Sequence, residues 1–223
     1  MKQKLLLLLA TVVLAGAQFA HADNLQITLC ESGNACVSTT GTGLVQFNSA
    51  YGDFTVNVVT GTGSPNLPSG ELDLSSVNVT GAWTGGGDKT LQIWVSEVNN
   101  SLGSGGTQSW SNIATGQLVG TGTNVVYSAY QDNSNTFNGT ANVLYTNSQS
   151  GGGPFSFSGT GSASVGGSYS LTEELVVTLG SGGQLSSGDA TLVPNTSVPE
   201  PSSTMLLVTG LLGISSKVWR RKR

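Results

Sequence analysis

Apolar side chains recur at every second residue through most of this chain, and clusters of glycine, serine and asparagine break the rhythm before any run grows long. The alternation is carried by Phe54, Val56 and Val58; by Leu91, Ile93 and Val95; by Val125, Tyr127 and Ala129; by Phe155 and Phe157; and by Leu171, Leu175, Val177 and Leu179. Successive side chains of an extended chain point to opposite faces, so a period of two describes a strand with one buried side. Turn-forming clusters at 61–70, 85–87, 103–106, 132–135, 151–153, 166–167 and 182–183 punctuate these runs. About ten short strands so spaced predict an all-β body, an antiparallel β-sandwich or jelly roll. A disordered Gly/Ser stalk is the competing reading, and the regular aliphatic and aromatic alternation argues against it.

One stretch changes phase within itself. In Glu71-Leu72-Asp73-Leu74-Ser75-Ser76-Val77-Asn78-Val79 the leucines share one parity and the valines the other. Keeping both pairs in one core requires a bulge or kink near Ser75-Ser76.

The two ends of the chain differ from its middle. Lys2 and Lys4 precede an apolar run at 5–17, and Ala20-His21-Ala22 follows as a small-x-small cleavage site, which together read as a secretory signal helix. Cleavage after Ala22 makes Asp23 the first mature residue and 1–22 the leader; an uncleaved signal-anchor is the alternative. At the other end Val198-Pro199-Glu200-Pro201 leads into an apolar run at 204–218 and a terminal Arg220-Arg221-Lys222-Arg223. Fifteen residues of helix reach about 22 Å against a hydrocarbon core of about 30 Å, so a transmembrane helix here is short and needs local thinning or snorkelling by Lys217. The terminal cations are expected to stay on the cytoplasmic side, which places the preceding chain across the membrane. A permanent anchor and a buried C-terminal core helix are the alternatives for this segment.

Leader, low-complexity passenger, Pro-Glu-Pro, apolar segment and basic finish together resemble the PEP-CTERM proteins. These are exported substrates of exosortase membrane proteases in Gram-negative bacteria that make extracellular polysaccharide. The resemblance implies that Pro199, Glu200 and Pro201 are the recognition element and that the tail at 198–223 is removed during sorting. It implies as partners an exosortase-type membrane protease, the Sec export machinery and, transiently, the inner membrane. The passenger is then expected in the periplasm first and at the cell surface or outside the cell afterwards. Ser215-Ser216-Lys217 depart from the family pattern, which favours more apolar residues there. The stretch 47–98 also resembles other PEP-CTERM passengers, with no activity attached to that likeness.

The passenger, 23–197, has the size of one domain. Although the whole chain carries a formal charge of −4, seven of its eight cations lie in the leader or the tail. Lys89 stands alone against eleven acids, so the passenger is near −10. Such a field repels phosphate backbones and excludes nucleic acid as a partner. Cys30 and Cys36, the two cysteines of the chain, both lie in the exported part, where an oxidising compartment favours a disulfide closing a small hairpin. No metal site and no cofactor is expected, because the single histidine, His21, leaves with the leader.

Loss of that histidine also removes the usual base for a serine or cysteine nucleophile. Carboxylate chemistry remains conceivable. Glu71 and Asp73 share a strand face about 7 Å apart, whereas Glu173 and Glu174 point to opposite faces, and a glycosidase places two carboxylates about 5 to 10 Å apart. Solvated strand acids are the plainer explanation. Trp94 has the parity opposite Ile93 and Val95 and is expected to turn its ring outward between Gln92 and Ser96, where it could stack on a sugar. Trp83, Trp110, Tyr51 and Tyr130 are the candidates to extend such a platform. The oxygens of Asp132-Asn133-Ser134-Asn135 match no calcium-loop spacing and read as an Asx turn. The N-x-Ser/Thr triplets at Asn78, Asn99, Asn138 and Asn195 read as incidental in a bacterium. The expectation is therefore a non-enzymatic envelope or matrix protein of structural or adhesive type. An exopolysaccharide-binding surface protein is the second reading and a glycoside hydrolase the third.

Overall fold

A computed structural model of the chain describes residues 24–101 and 105–195. The expected signal helix and transmembrane helix lie outside the described residues. Within them the chain forms twelve strands, joined by turns and loops, with no helix. They are β1 (Asn24–Glu31), β2 (Val37–Thr42), β3 (Leu44–Tyr51), β4 (Phe54–Thr62), β5 (Leu72–Gly81) and β6 (Lys89–Asn100), then β7 (Gly106–Val119), β8 (Asn124–Asp132), β9 (Asn142–Ser150), β10 (Gly153–Val165), β11 (Tyr169–Leu179) and β12 (Gln184–Pro194).

All the pairings are antiparallel, and the hydrogen-bonded order is β10-β7-β12-β5-β4-β3-β2-β1-β6-β11-β8-β9. A ribbon of that length curls, and this one folds over at the β2–β3 hairpin, where the ladder is reduced to Thr42 opposite Leu44 across Gly43. The result is a sandwich. One layer runs β10-β7-β12-β5-β4-β3 and the other β9-β8-β11-β6-β1-β2. Strands adjacent in sequence face each other across the core: β5 lies over β6, β7 over β8, β9 over β10 and β11 over β12. From β5 onward the winding is that of a jelly roll, 5-12-7-10 on 6-11-8-9, and β1 to β4 widen both layers.

The alternating residues supply the core. Leu25, Ile27 and Leu29 of β1, Leu91, Ile93 and Val95 of β6, and Leu171, Leu175, Val177 and Leu179 of β11 meet Phe54, Leu72, Leu74, Trp110 and Leu192 of the other layer. The phase change on β5 is absorbed where the sequence places it. Ser76 adopts a left-handed φ of 58°, which buries Leu72 and Leu74 before it and Val77 and Val79 after it. Its neighbour β12 bulges in concert at Ser187, φ 52°. The two irregularities cap each other: Ser76 N–H donates to Asp189 Oδ1 at 3.0 Å and Ser187 N–H to Asn78 Oδ1 at 3.0 Å.

Opposite the hinge, β9 and β10 close the sandwich without a ladder. A side chain at Gly161 would start 1.9 Å from the Leu144 carbonyl oxygen, and one at Gly159 would start 2.2 Å from the Tyr145 ring. Glycine at both positions lets β9 press against β10, and Tyr145 Oη donates to the Ser158 carbonyl at 3.1 Å.

Candidate functional site

Trp94 stands on the outer face of β6, half-buried, with Ile93 and Val95 turned into the core. Register fixes its neighbours. Thr28 of β1 lies opposite on one side and Glu174 of β11 on the other, and the row continues to Ser38 beyond Thr28 and to Ser128 and Thr146 beyond Glu174. Six strands thus carry one line of side chains in which a single indole and a single carboxylate stand among hydroxyls. Ser38 and Thr146 at its ends are exposed, Trp94 is half-buried, and Thr28, Glu174 and Ser128 between them are buried. Adjacent strands are about 4.8 Å apart, so the indole and the carboxylate are rooted side by side.

Glu174 is held by Tyr130, whose Oη donates to Oε2 at 2.8 Å. The bond favours the neutral phenol, and together with burial it moves the Tyr130 hydroxyl up from its ordinary value, burial being the larger cause. Among the described residues no group donates to Glu174 Oε1, which keeps that oxygen as a free acceptor. Glu173, one residue earlier, turns inward as the alternation requires. It is wholly buried, accepts a 2.8 Å bond from Tyr127 Oη, and lies against the Leu74 amide across the core, with the charge of outward-facing Asp73 beyond it. Burial raises its carboxyl well above the ordinary range. Two consecutive glutamates therefore serve different ends: Glu173 is a core hydrogen-bonding group, whereas Glu174 belongs to the outer face and is itself 9% exposed, tucked beside Tyr130.

A wall rises beside Trp94. The loop at 133–141 leaves β8 through an Asx turn, Ser134 N–H donating to Asp132 Oδ1 at 2.7 Å, a bond that holds the Asp132 carboxyl below its ordinary value. The loop then lies back over the sheet. Asn135 exchanges two bonds with Asn99, from the Asn99 N–H at 2.7 Å and to Asn99 Oδ1 at 2.9 Å. Asn138 receives Ser96 Oγ on its Oδ1 and donates Nδ2 to Thr28 Oγ1 at 3.2 Å. Ser96 and Thr28 flank Trp94 along and across the strands, so the amide wall meets the sheet at the foot of the indole.

The other aromatic candidates are structural. Trp110 is fully buried, donates Nε1 to the Gly70 carbonyl at 3.2 Å and packs edge-on to Tyr169. Trp83 packs edge-on to Phe54 under the Lys89 ammonium, and Lys89 also pairs with Asp53. Tyr51 is buried and donates to the Ala35 carbonyl at 2.9 Å, which ties β3 to the hairpin closed by the Cys30–Cys36 disulfide. Glu31 secures the same corner, accepting from Asn34 Nδ2 at 2.7 Å and from the Asp53 N–H at 3.0 Å.

Asp73 is half-buried on the outer face of the opposite layer. Burial, and secondarily the charge of Asp189, raise its carboxyl, while Ser75 opposes the shift. Glu71, just ahead of β5, is raised by burial as well. What sequence reasoning did not reach is the loop: Asn135 reads as part of an Asx turn and Asn138 as an incidental N-x-Ser/Thr triplet, and only the fold brings them back over β6. Ala20, Ala22 and Asp23, the Pro199-Glu200-Pro201 triplet and the cations Arg220, Arg221, Lys222 and Arg223 lie outside the described residues.

Residues 197–222 match the family of the PEP-CTERM protein-sorting motif, and the chain carries that motif. No curated protein matches the sequence. Among solved structures, the isomalto-dextranase of Arthrobacter globiformis T6 complexed with panose aligns with 77% of this chain at 10% identity and a TM-score of 0.25. The chain spans 30% of that protein's length, a likeness too slight to bear on function.

Proposed function

We propose that this chain is an exported envelope or extracellular-matrix protein of structural and adhesive type, sorted and processed by an exosortase-type membrane protease. The observation that carries this reading is the sorting motif at 197–222, set directly behind a folded β body. Pro199, Glu200 and Pro201 are the recognition element, the apolar run holds the chain in the inner membrane, and the terminal cations keep its end on the cytoplasmic side. The Sec machinery delivers the passenger to the periplasm, from which it passes to the surface or the medium. The body suits that destination. A disulfide clips its first hairpin, and most of its charged groups are acids.

The passenger is proposed to be non-catalytic. Its buried polar groups act as ties: Glu97 Oε1 accepts the Ser64 N–H, Asn100 Oδ1 accepts the Gly70 N–H at 2.9 Å, and Trp110 holds the same loop. A hydrolase remains testable by polysaccharide-cleavage assays on Glu71→Gln and Asp73→Asn. Loss of a cleavage activity in those variants would overturn the non-catalytic reading.

Mass spectrometry of the mature protein from producing cells tests the sorting proposal. The expected C-terminus lies close to Glu200 and disappears from cells lacking the exosortase. Recovery of Trp219-containing peptides from mature protein in processing-competent cells would overturn it.

A further inference from the structure

We propose that the outer face around Trp94, Glu174 and Tyr130 is a binding site for neutral polysaccharide. The inference deepens the adhesive reading above and rests on it for its setting outside the cell.

The chemistry of the face is specific. A sugar ring has an apolar C–H side, which an indole covers, and a rim of hydroxyls, which ionised carboxylates bind more strongly than neutral acceptors do. Trp94 and Glu174 are cross-strand partners, so one monosaccharide can meet both at once. Tyr130 fixes the carboxylate by occupying Oε2, which leaves Oε1 to take a ligand hydroxyl. The amide wall borders the same spot, its Asn138 already bonded to Ser96 and Thr28. Rigid positioning of this kind lowers the ordering cost of binding.

Charge decides between classes of polymer. Lys89 is the one cation in 23–197, and it is engaged with Asp53 and Trp83. A uronate or sulfate would meet Glu174 in a strongly acidic body with no counter-charge beside it, so anionic polymers are disfavoured. Thr28 and Ser128 are buried on either side of the pair, so the contact centres on Trp94, Tyr130 and Glu174 and takes a short stretch of a neutral chain rather than the whole row.

The test uses protein isolated from cells that process it, with dextran, laminarin and galactomannan as neutral probes and polygalacturonate as the anionic one. Affinity electrophoresis is expected to show retardation by at least one neutral polymer, with quenching of tryptophan fluorescence. Trp94→Ala should weaken binding about tenfold or more, and Glu174→Gln should also weaken it. Tyr130→Phe should fall between these and the parent, and Ile113→Ser on the opposite layer should bind as the parent does. Thermal unfolding checks that each variant is folded, and Trp94→Phe, which keeps a ring, should recover part of the affinity if Ala proves unstable. Retardation by none of the neutral polymers, retardation by polygalacturonate alone, or unchanged binding by Trp94→Ala would overturn the site. The C-terminal mass of the same samples separates the two proposals: a processed protein without binding sinks this site alone, and an unprocessed one that binds sinks the sorting reading alone.

Discussion

The two outer faces of the sandwich share a backbone plan and differ in what their outward positions carry. On the β9-β8-β11-β6-β1-β2 layer those positions hold Trp94, Tyr130 and Glu174, bordered by a loop that folds back over the sheet. On the β10-β7-β12-β5-β4-β3 layer they hold Ser156, Ser158, Thr160 and Ser162 of β10, Thr115 and Ser111 of β7, and the isolated apolar side chains Ile113 and Val193. The tryptophan of that second layer, Trp110, faces the core. Strand parity alone thus assigns one tryptophan to holding the fold together and another to meeting the surroundings.

Replacing the two tryptophans should break the comparison most visibly. Trp110→Ala removes a fully buried indole and its bond to Gly70, and is expected to cost about 3–5 kcal/mol. Trp94→Ala should cost about 1 kcal/mol, as a half-buried side chain does. Equal losses in denaturant melts would contradict the assignment of the two roles.

The adjacent glutamates sharpen it next. Glu173 has a raised carboxyl in the folded state, so it contributes stability fully below its unfolded pKa near 4.5 and loses that contribution as pH rises toward the folded value. Glu173→Gln should therefore flatten the fall of melting temperature above about pH 4.5, a change visible by calorimetry between pH 4 and 9. An unaltered pH profile would mean that the carboxyl does not stay protonated in the fold.

A smaller effect is expected at the paired bulges. Asp189→Ala leaves the Ser76 N–H without its acceptor and should cost about 1 kcal/mol, with Asp189→Asn recovering most of it. Smallest of all, Ile113→Thr lies on the hydroxyl-rich face at 51% exposure and should shift stability by no more than about 0.5 kcal/mol. A large destabilisation there would show that the face is covered in the folded protein.

Much of this was legible from residue order because the signals are local. The inward rows of β6, β8 and β11 appear as plain alternation, the β5 bulge follows from the parity of Leu74 and Val77, and Glu173 and Glu174 separate by their positions alone. β4 departs from the expected row, because its register shifts after Val56 and Val59 is the next residue in the core. β7 was hidden. Its inward row, Trp110-Asn112-Ala114-Gly116-Leu118, mixes an amide and a glycine with apolar residues, since Phe155 of β10 fills the space a side chain at Gly116 would need. β10 was seen only in part, because Gly159 and Gly161 take inward positions where β9 presses close. The amide wall could not be read at all, for the Asn135 and Asn138 bonds to β6 span 36 and 42 residues of chain. Long-range pairings of that kind leave no periodic trace.

The seam between β9 and β10 governs how the two ends of the ribbon meet a neighbouring chain. Ordinary sandwiches end in strands whose unpaired amides invite a neighbour's strand, and concentrated secreted proteins polymerise through such edges. Here the two terminal strands of the ribbon lean on each other, and the tyrosine ring of one caps a carbonyl of the other. No backbone ladder joins the pair, so what guards these edges is the glycine-lined contact and the tyrosine cap, and a variant that pried the seam open would present both strands to a neighbouring copy.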